Sequence, residues 1–139
     1  MPDPAYPDHH FMFDRPKLDM YVARIYAFLS MSVEAEHYAR RVIDQAVATD
    51  NRGRSHPVPP TRESFGRLDL ASALIVSREP EEASKEATRS LDALLRNDLV
   101  QRAGEIDAKL TRSFPDVPQV VAYHERYIGA RNALGQGEV

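Results

Sequence analysis

Two trios of alanine constrain this chain more than any other feature. Ala23, Ala35 and Ala39 are spaced 12 and then 4 residues apart, and Ala71, Ala83 and Ala87 repeat that spacing at an offset of 48 residues. The same offset superimposes Glu34 on Glu82, Arg41 on Arg89 and Asp44 on Asp92, and it pairs Val22 with Leu70, Tyr26 with Leu74 and Ile43 with Leu91. Small residues recur where two helices must approach closely, and large ones recur where the gap between them is filled. Stacked helix hairpins require that alternation.

The local periodicity agrees. Leu18, Val22, Ile25 and Leu29, widened by Tyr21 and Phe28, recur at helical spacing and predict a first amphipathic helix. A second helix is predicted over residues 33–49 with Ala35, Ala39, Val42, Ile43 and Ala46 on one face, capped by Ser32 and ended by Asp50-Asn51-Arg52-Gly53. His56-Pro57-Val58-Pro59-Pro60 cannot continue it, and a third pattern of Leu68, Ala71, Leu74 and Ile75 starts only after Thr61. Glu79-Pro80-Glu81-Glu82 marks a fourth start, with proline at the first position and acids in the first turn, and Ala83, Ala87, Leu91, Leu94 and Leu95 supply its buried stripe.

In a fifth helix, from Asn97 or Asp98, Leu99, Ala103, Ile106 and Leu110 align, and Asp98 with Gln101 has the form of a capping box. A sixth, from about Asp116, places Val117, Val120, Val121, His124, Tyr127 and Ile128 on one face. No segment alternates with period two for long enough to make a strand. The expected fold is therefore all-α, a stack of antiparallel helix hairpins with about six helices. Prolines 2, 4, 7 and 16 predict an extended arm over residues 1–16, ahead of a helical domain at 17–131 and a frayed tail at 132–139.

The 139 residues suffice for one domain, with 42% hydrophobic and 28% charged residues, far from the composition of a disordered chain. Cysteine is absent, which excludes disulfides, thiolate zinc sites, iron–sulfur clusters and a cysteine nucleophile. No apolar run approaches the roughly 20 residues that span a bilayer, and the N-terminus lacks the pattern of a signal peptide. A cytoplasmic protein without membrane contact is expected. The net charge of −3 gives no general attraction for a phosphate backbone, so direct nucleic-acid binding is not expected.

The alanine spacing resembles the tetratricopeptide repeat, in which a small residue of the first helix meets a small residue of the second. An aromatic or aliphatic residue, here Tyr26 or Leu74, follows three positions after the first. The family's period is about 34 residues, so the longer offset implies about 14 extra, matching the connection from Asp50 to Thr61. The family's first-helix Trp and Gly are missing. The runs Asp69-Leu70-Ala71, Glu79-Pro80-Glu81-Glu82-Ala83 and Phe114-Pro115-Asp116-Val117-Pro118-Gln119-Val120 resemble the C-terminal sensor region of Xre-type helix-turn-helix regulators from high-GC Gram-positive bacteria. So does His10-Phe11-Met12-Phe13-Asp14 with Lys17-Leu18. The resemblance covers about Asp8 to Tyr127 and implies either a fragment of such a regulator or a standalone relative.

Candidate chemistry is sparse. His9-His10 with Asp8 and Asp14 has the donor types of a transition-metal site, but an extended arm lacks the supporting partners such ligands need, so no metal or other cofactor is expected. His124-Glu125 opens like H-E-x-x-H, yet position 128 is Ile, and a hydrogen-bonded core histidine is the better reading. His37, among Glu34, Glu36 and Arg41, reads as a surface residue. The loops that start acyl-hydrolase, P-loop and dinucleotide chemistry are missing. Arg52, Arg54 and Arg62 flank the proline-rich connection, which reads as a solubilising loop or a basic clamp. Phe11, Met12 and Phe13 are expected to dock on the first hairpin.

In stacked hairpins the first helix of each pair lines the concave face, where repeat proteins hold extended ligands. With Ala23 and Ala71 at the packed positions, the groove is expected to present Met20, Tyr21, Arg24, Phe28, Leu68, Asp69, Ser72 and Ile75, joined by Arg102 and Glu105 from the fifth helix. The expected function is a non-catalytic interaction or sensor domain for a peptide, a protein or a small-molecule signal in bacterial regulation. The rivals are a small helical biosynthetic enzyme using His10, His37 or His124 with a carboxylate, and a homodimer whose twin covers an unpaired hairpin.

Overall fold

The structure, a computed structural model, describes residues 15–52, 60–92 and 95–137. These form six helices, α1 (Arg15–Phe28), α2 (Ser32–Arg52), α3 (Pro60–Val76), α4 (Pro80–Ser90), α5 (Asn97–Ser113) and α6 (Pro118–Gly137), with no strand among the described residues. The chain is all-α, as its periodicity predicts. α1 packs on α2, α2 on α3, α3 on α4, and α6 on both α4 and α5, while α1, α3 and α5 touch in series. Residues 29–31 and 77–79 are all that join α1 to α2 and α3 to α4, and links that short leave a packed pair only an antiparallel arrangement.

The 48-residue repeat extends to the backbone. At the first turn Met31 N–H donates to the Tyr26 carbonyl at 2.9 Å and Ser30 N–H to that of Ala27 at 3.1 Å; at the second, Glu79 N–H donates to Leu74 at 2.8 Å and Arg78 N–H to Ile75 at 3.0 Å. This pair of bonds is the Schellman closure, which needs a left-handed residue just after the helix. Ser30 and Arg78 supply it at φ 58° and 60°. The following helices then start alike, with Ala35 and Ala83 donating to the carbonyls of Met31 and Glu79.

All six repeat alanines have 0% exposure. A methyl group there lets the backbones approach, and the gaps are filled by Leu68, Leu70, Leu74, Leu91, Leu99, Ile106 and Leu110, each at most 2% exposed. Gly66 marks another close approach: a Cβ there would lie 3.0 Å from Val42 Cγ1, across the contact of α2 with α3. The predicted faces of α2 and α5 are the buried ones, and α4 buries Ala83, Ala87 and Leu91 with Leu95 half-buried; Leu94 lies outside the described residues.

α1 turns its periodic apolar stripe away from the core. Its predicted stripe of Leu18, Tyr21, Ile25, Phe28 and Leu29 faces solvent, Val22 is half-buried, and Asp19, Ala23 and Ala27 face inward. The buried side is decided by closeness to α2 and α3, which only small residues permit, and Asp19 is satisfied there by Arg41 at 3.2 Å and Gln45 at 3.2 Å. α6 is rotated from expectation. Val120, Tyr123 and Ala130 are buried, whereas Val121 is 47% exposed and His124 is exposed. Tyr123 wins the core because its hydroxyl donates to the Ala103 carbonyl at 2.7 Å, so its own polar atom is paired when buried.

The ends differ in detail. The Asp98–Gln101 capping box does not form; Arg96 is the N-cap without a side-chain bond, and Asp98 accepts from the Leu99 N–H. α6 runs through Gly129 to Gly137, where a frayed tail is expected from residue 132. Most of the predicted arm lies outside the described residues, as do His9, His10, Phe11, Met12, Phe13 and Arg54.

Candidate functional site

Three helices converge on one carboxylate. Asp69 of α3 has 0% exposure, and its Oδ1 accepts from Arg24 Nε of α1 at 3.2 Å and from Arg102 NH2 of α5 at 2.9 Å. Arg102 also donates to Glu105 Oε2 at 3.0 Å. Arg24 lies over the Phe65 ring of α3, 5.2 Å from its centroid, a cation–π contact that fixes the guanidinium plane. Registers of three and four residues produce this arrangement. Phe65, Asp69 and Ser72 project from one side of α3, and Arg102, Glu105 and Lys109 from one side of α5.

The ion-paired bridge divides a groove into two depressions. The first, about 310 Å³, is bordered by Met20, Arg24, Phe65, Gln101, Arg102 and Glu105. The second, about 270 Å³, is bordered by Ala27, Phe28, Ser30, Ser72 and Lys109, and shares Arg24, Arg102 and Glu105 with the first. Burial pushes the Asp69 carboxyl above its ordinary range, and the two guanidinium groups oppose that rise without cancelling it. A carboxyl whose folded value is raised contributes its stability below the unfolded value and loses it as pH rises through the folded one. Asp69 Oδ2 and Arg102 Nε are both buried without a partner, so the bridge keeps unused hydrogen-bonding capacity beneath the groove floor.

Seven of the ten residues expected on this face take part in it: Met20, Arg24, Phe28, Ser72, Arg102 and Glu105 at its walls, and Asp69 beneath. Three do not. Leu68 is 0% exposed and belongs to the main core, one position round the helix from Asp69. Ile75 is half-buried against that core, and Tyr21, 52% exposed, borders neither depression because it lies on the outer stripe of α1. Sequence reasoning missed Phe65 and Lys109, although one further helical turn from Asp69 and from Glu105 reaches them.

A larger depression of about 560 Å³ lies among α2, α3 and α4, with Ile43, Val47 and Leu70 as its apolar part and Arg40, Arg67 and Arg89 around it. Its arginines are engaged with carboxylates. Arg67 binds Glu86 at 2.7 Å and Glu63 at 2.9 Å, Arg40 binds Glu36 at 2.9 Å, and Arg89 lies 3.6 Å from Glu86.

The two histidines among the described residues, His37 and His124, do not converge. His124 is half-exposed rather than a core residue, and its Nδ1 lies 2.9 Å from Asp107 Oδ2, across from α6 to α5. His37 is exposed and edge-on to Tyr38. Neither borders any of these depressions. Among the described residues, no group of three or more His, Cys, Asp and Glu side chains could hold a metal ion, and no helix is long and apolar enough to cross a membrane. Arg52 ends α2 and Arg62 lies in the first turn of α3. No protein family, curated protein or solved structure compared with the chain matches it, so its reading rests on this geometry.

Proposed function

We propose that the chain is a tetratricopeptide-like interaction or sensor module that holds an extended peptide or protein segment along the α1, α3 and α5 face, in bacterial cytoplasmic regulation, with no chemistry of its own. The observation that carries this reading is the Asp69 bridge, which locks Arg24 and Arg102 in place between two adjoining depressions. Side chains already held in position lose little entropy when a ligand arrives. Arg24, Arg102 and Lys109 offer donors to carbonyl or carboxylate oxygens, Glu105 offers an acceptor, and Met20, Phe28 and Phe65 offer apolar contact.

The dimensions favour a segment over a compact small molecule. Depressions of about 310 and 270 Å³ lie at the low end of the roughly 300–1,000 Å³ of small-ligand sites, while a strand of peptide spans both. The backbone-level repeat of the first two hairpins supports the superhelical stacking that would make this face concave.

Random peptides displayed on phage and selected on the full chain test the reading. Selected peptides are expected to bind Lys109→Ala about tenfold more weakly than the parent, a loss of about 1.4 kcal/mol, and to bind Arg89→Ala unchanged. Equal loss on both variants, or loss on Arg89→Ala alone, contradicts it.

A further inference from the structure

The side of α1 turned away from its neighbours is apolar, and none of the other described helices covers it. Leu18, Tyr21, Ile25, Phe28 and Leu29 are 37%, 52%, 56%, 87% and 56% exposed, and Met31 and Val33 continue the surface at 41% and 76%. Of the ten large apolar residues exposed among the described ones, these seven fall within residues 18–33, so the exposure is concentrated in one patch. Aromatic side chains carry about 150–250 Å² each. Tyr21 and Phe28 together with the five exposed aliphatic residues approach the roughly 800 Å² that each partner gives to a standard specific interface.

The spacing of the patch names its partner. Leu18, Tyr21, Ile25 and Phe28 follow one another at intervals of 3, 4 and 3 residues, the seam positions of a two-helix coiled coil, with Val22 and Leu29 beside them. This stripe is its own antiparallel complement. About a two-fold axis passing close to residue 23, Leu18 meets Phe28 of a second copy and Tyr21 meets Ile25 of that copy, an isologous contact that closes on itself.

The chain's own N-terminal apolar cluster, Phe11, Met12 and Phe13, can reach only the Leu18 end of this stripe. An extended chain reaches at most about 3.6 Å per residue, so Phe11, four residues before Arg15, reaches about 14 Å from it. Phe28 lies thirteen residues beyond Arg15, about 20 Å along the helix axis. The most exposed end of the patch, at Phe28, is thus beyond Phe11, Met12 and Phe13.

We propose that the chain forms an antiparallel homodimer through the outer stripe of α1, with Leu18 against Phe28 and Tyr21 against Ile25 across the two-fold axis. The Arg24–Asp69–Arg102 bridge and the first depression lie outside the seam, while Phe28 is shared between the seam and the wall of the second depression. The dimer stands whether or not that groove binds a peptide.

Sedimentation velocity on the full chain across a concentration series tests the assembly. The expected result is a species of twice the 15.7 kDa chain mass, converted to monomer by Ile25→Lys with unchanged helical circular dichroism. A parent that stays monomeric at hundreds of micromolar overturns the proposal, as does an Ile25→Lys variant that remains dimeric. A monomeric parent destabilised by Ile25→Lys would instead show that another part of the chain covers the stripe. Register is tested by Leu18→Cys/Phe28→Cys, which introduces the molecule's first cysteines. Ten residues apart on one helix, these lie about 15 Å from each other and cannot pair within a chain. Mild oxidation is therefore expected to give a covalent dimer from the double variant and none from Leu18→Cys alone, whose two thiols lie at opposite ends of an antiparallel seam; a covalent dimer from the single variant, or none from the double variant in a dimeric sample, rules out the antiparallel register.

Discussion

The first two helix pairs and the third close by different means. In α1–α2 and α3–α4 a left-handed residue, Ser30 or Arg78, lets the chain reverse, and fully buried alanines let the helices nest. In α5–α6 the reversal passes through Phe114 and Pro115 without a positive φ, and the Val117 N–H reaches the Phe114 carbonyl at a longer 3.3 Å. There a large residue, Tyr123, fills the contact and bonds the Ala103 carbonyl, while Gly104 makes room for the Tyr127 ring. A small-residue contact can be copied along a chain. One built round a single bonded aromatic is specific to its place, and the third pair accordingly falls outside the 48-residue repeat.

That contrast can be broken most severely at Tyr123. Tyr123→Ala removes a fully buried ring and leaves a cavity between α5 and α6, with an expected loss of about 3–5 kcal/mol in urea unfolding. Tyr123→Phe keeps the ring and loses only the hydrogen bond, about 1 kcal/mol. Similar losses from the two variants would mean that the ring itself carries little of the third pair's stability.

A smaller effect sharpens the comparison from the other side. Ser30→Gly relieves a left-handed serine and is expected to raise stability by about 1 kcal/mol, whereas Ser113→Gly, at the end of α5, is expected to lower it by about 0.5–1 kcal/mol. Thermal melts of the two variants should therefore move in opposite directions. Shifts of the same sign would remove the distinction between the turns.

What the sequence made legible follows from the same physics. The buried faces of α2, α4 and α5 could be read because their neighbours accept the side chains that periodicity marks. The outward stripe of α1 could not, since hydrophobic spacing reveals a sticky face without saying whether this chain or another molecule covers it. α6 misled because Val121 and His124 share a helical stripe with Val120, and only the position of the Ala103 carbonyl selects Tyr123 instead. Within the groove, the alanine register located Arg24 and Asp69 on facing helices, but it could not place Leu68, which a turn of one position carries from groove to core.

The Asp69 bridge is what ties α1, α3 and α5 into one surface, and amide hydrogen exchange in Asp69→Ala tests that most directly. Loss of the carboxylate leaves Arg102, 15% exposed, with only the exposed Glu105 as partner, and the roughly 3–5 kcal/mol cost of unpairing a buried charge is the upper bound of the expected loss. Protection is predicted to fall in α1 and α5 as well as in α3, more than in α2. A change confined to the turns of α3 around residue 69, with α1 and α5 exchanging as in the parent, would contradict the account.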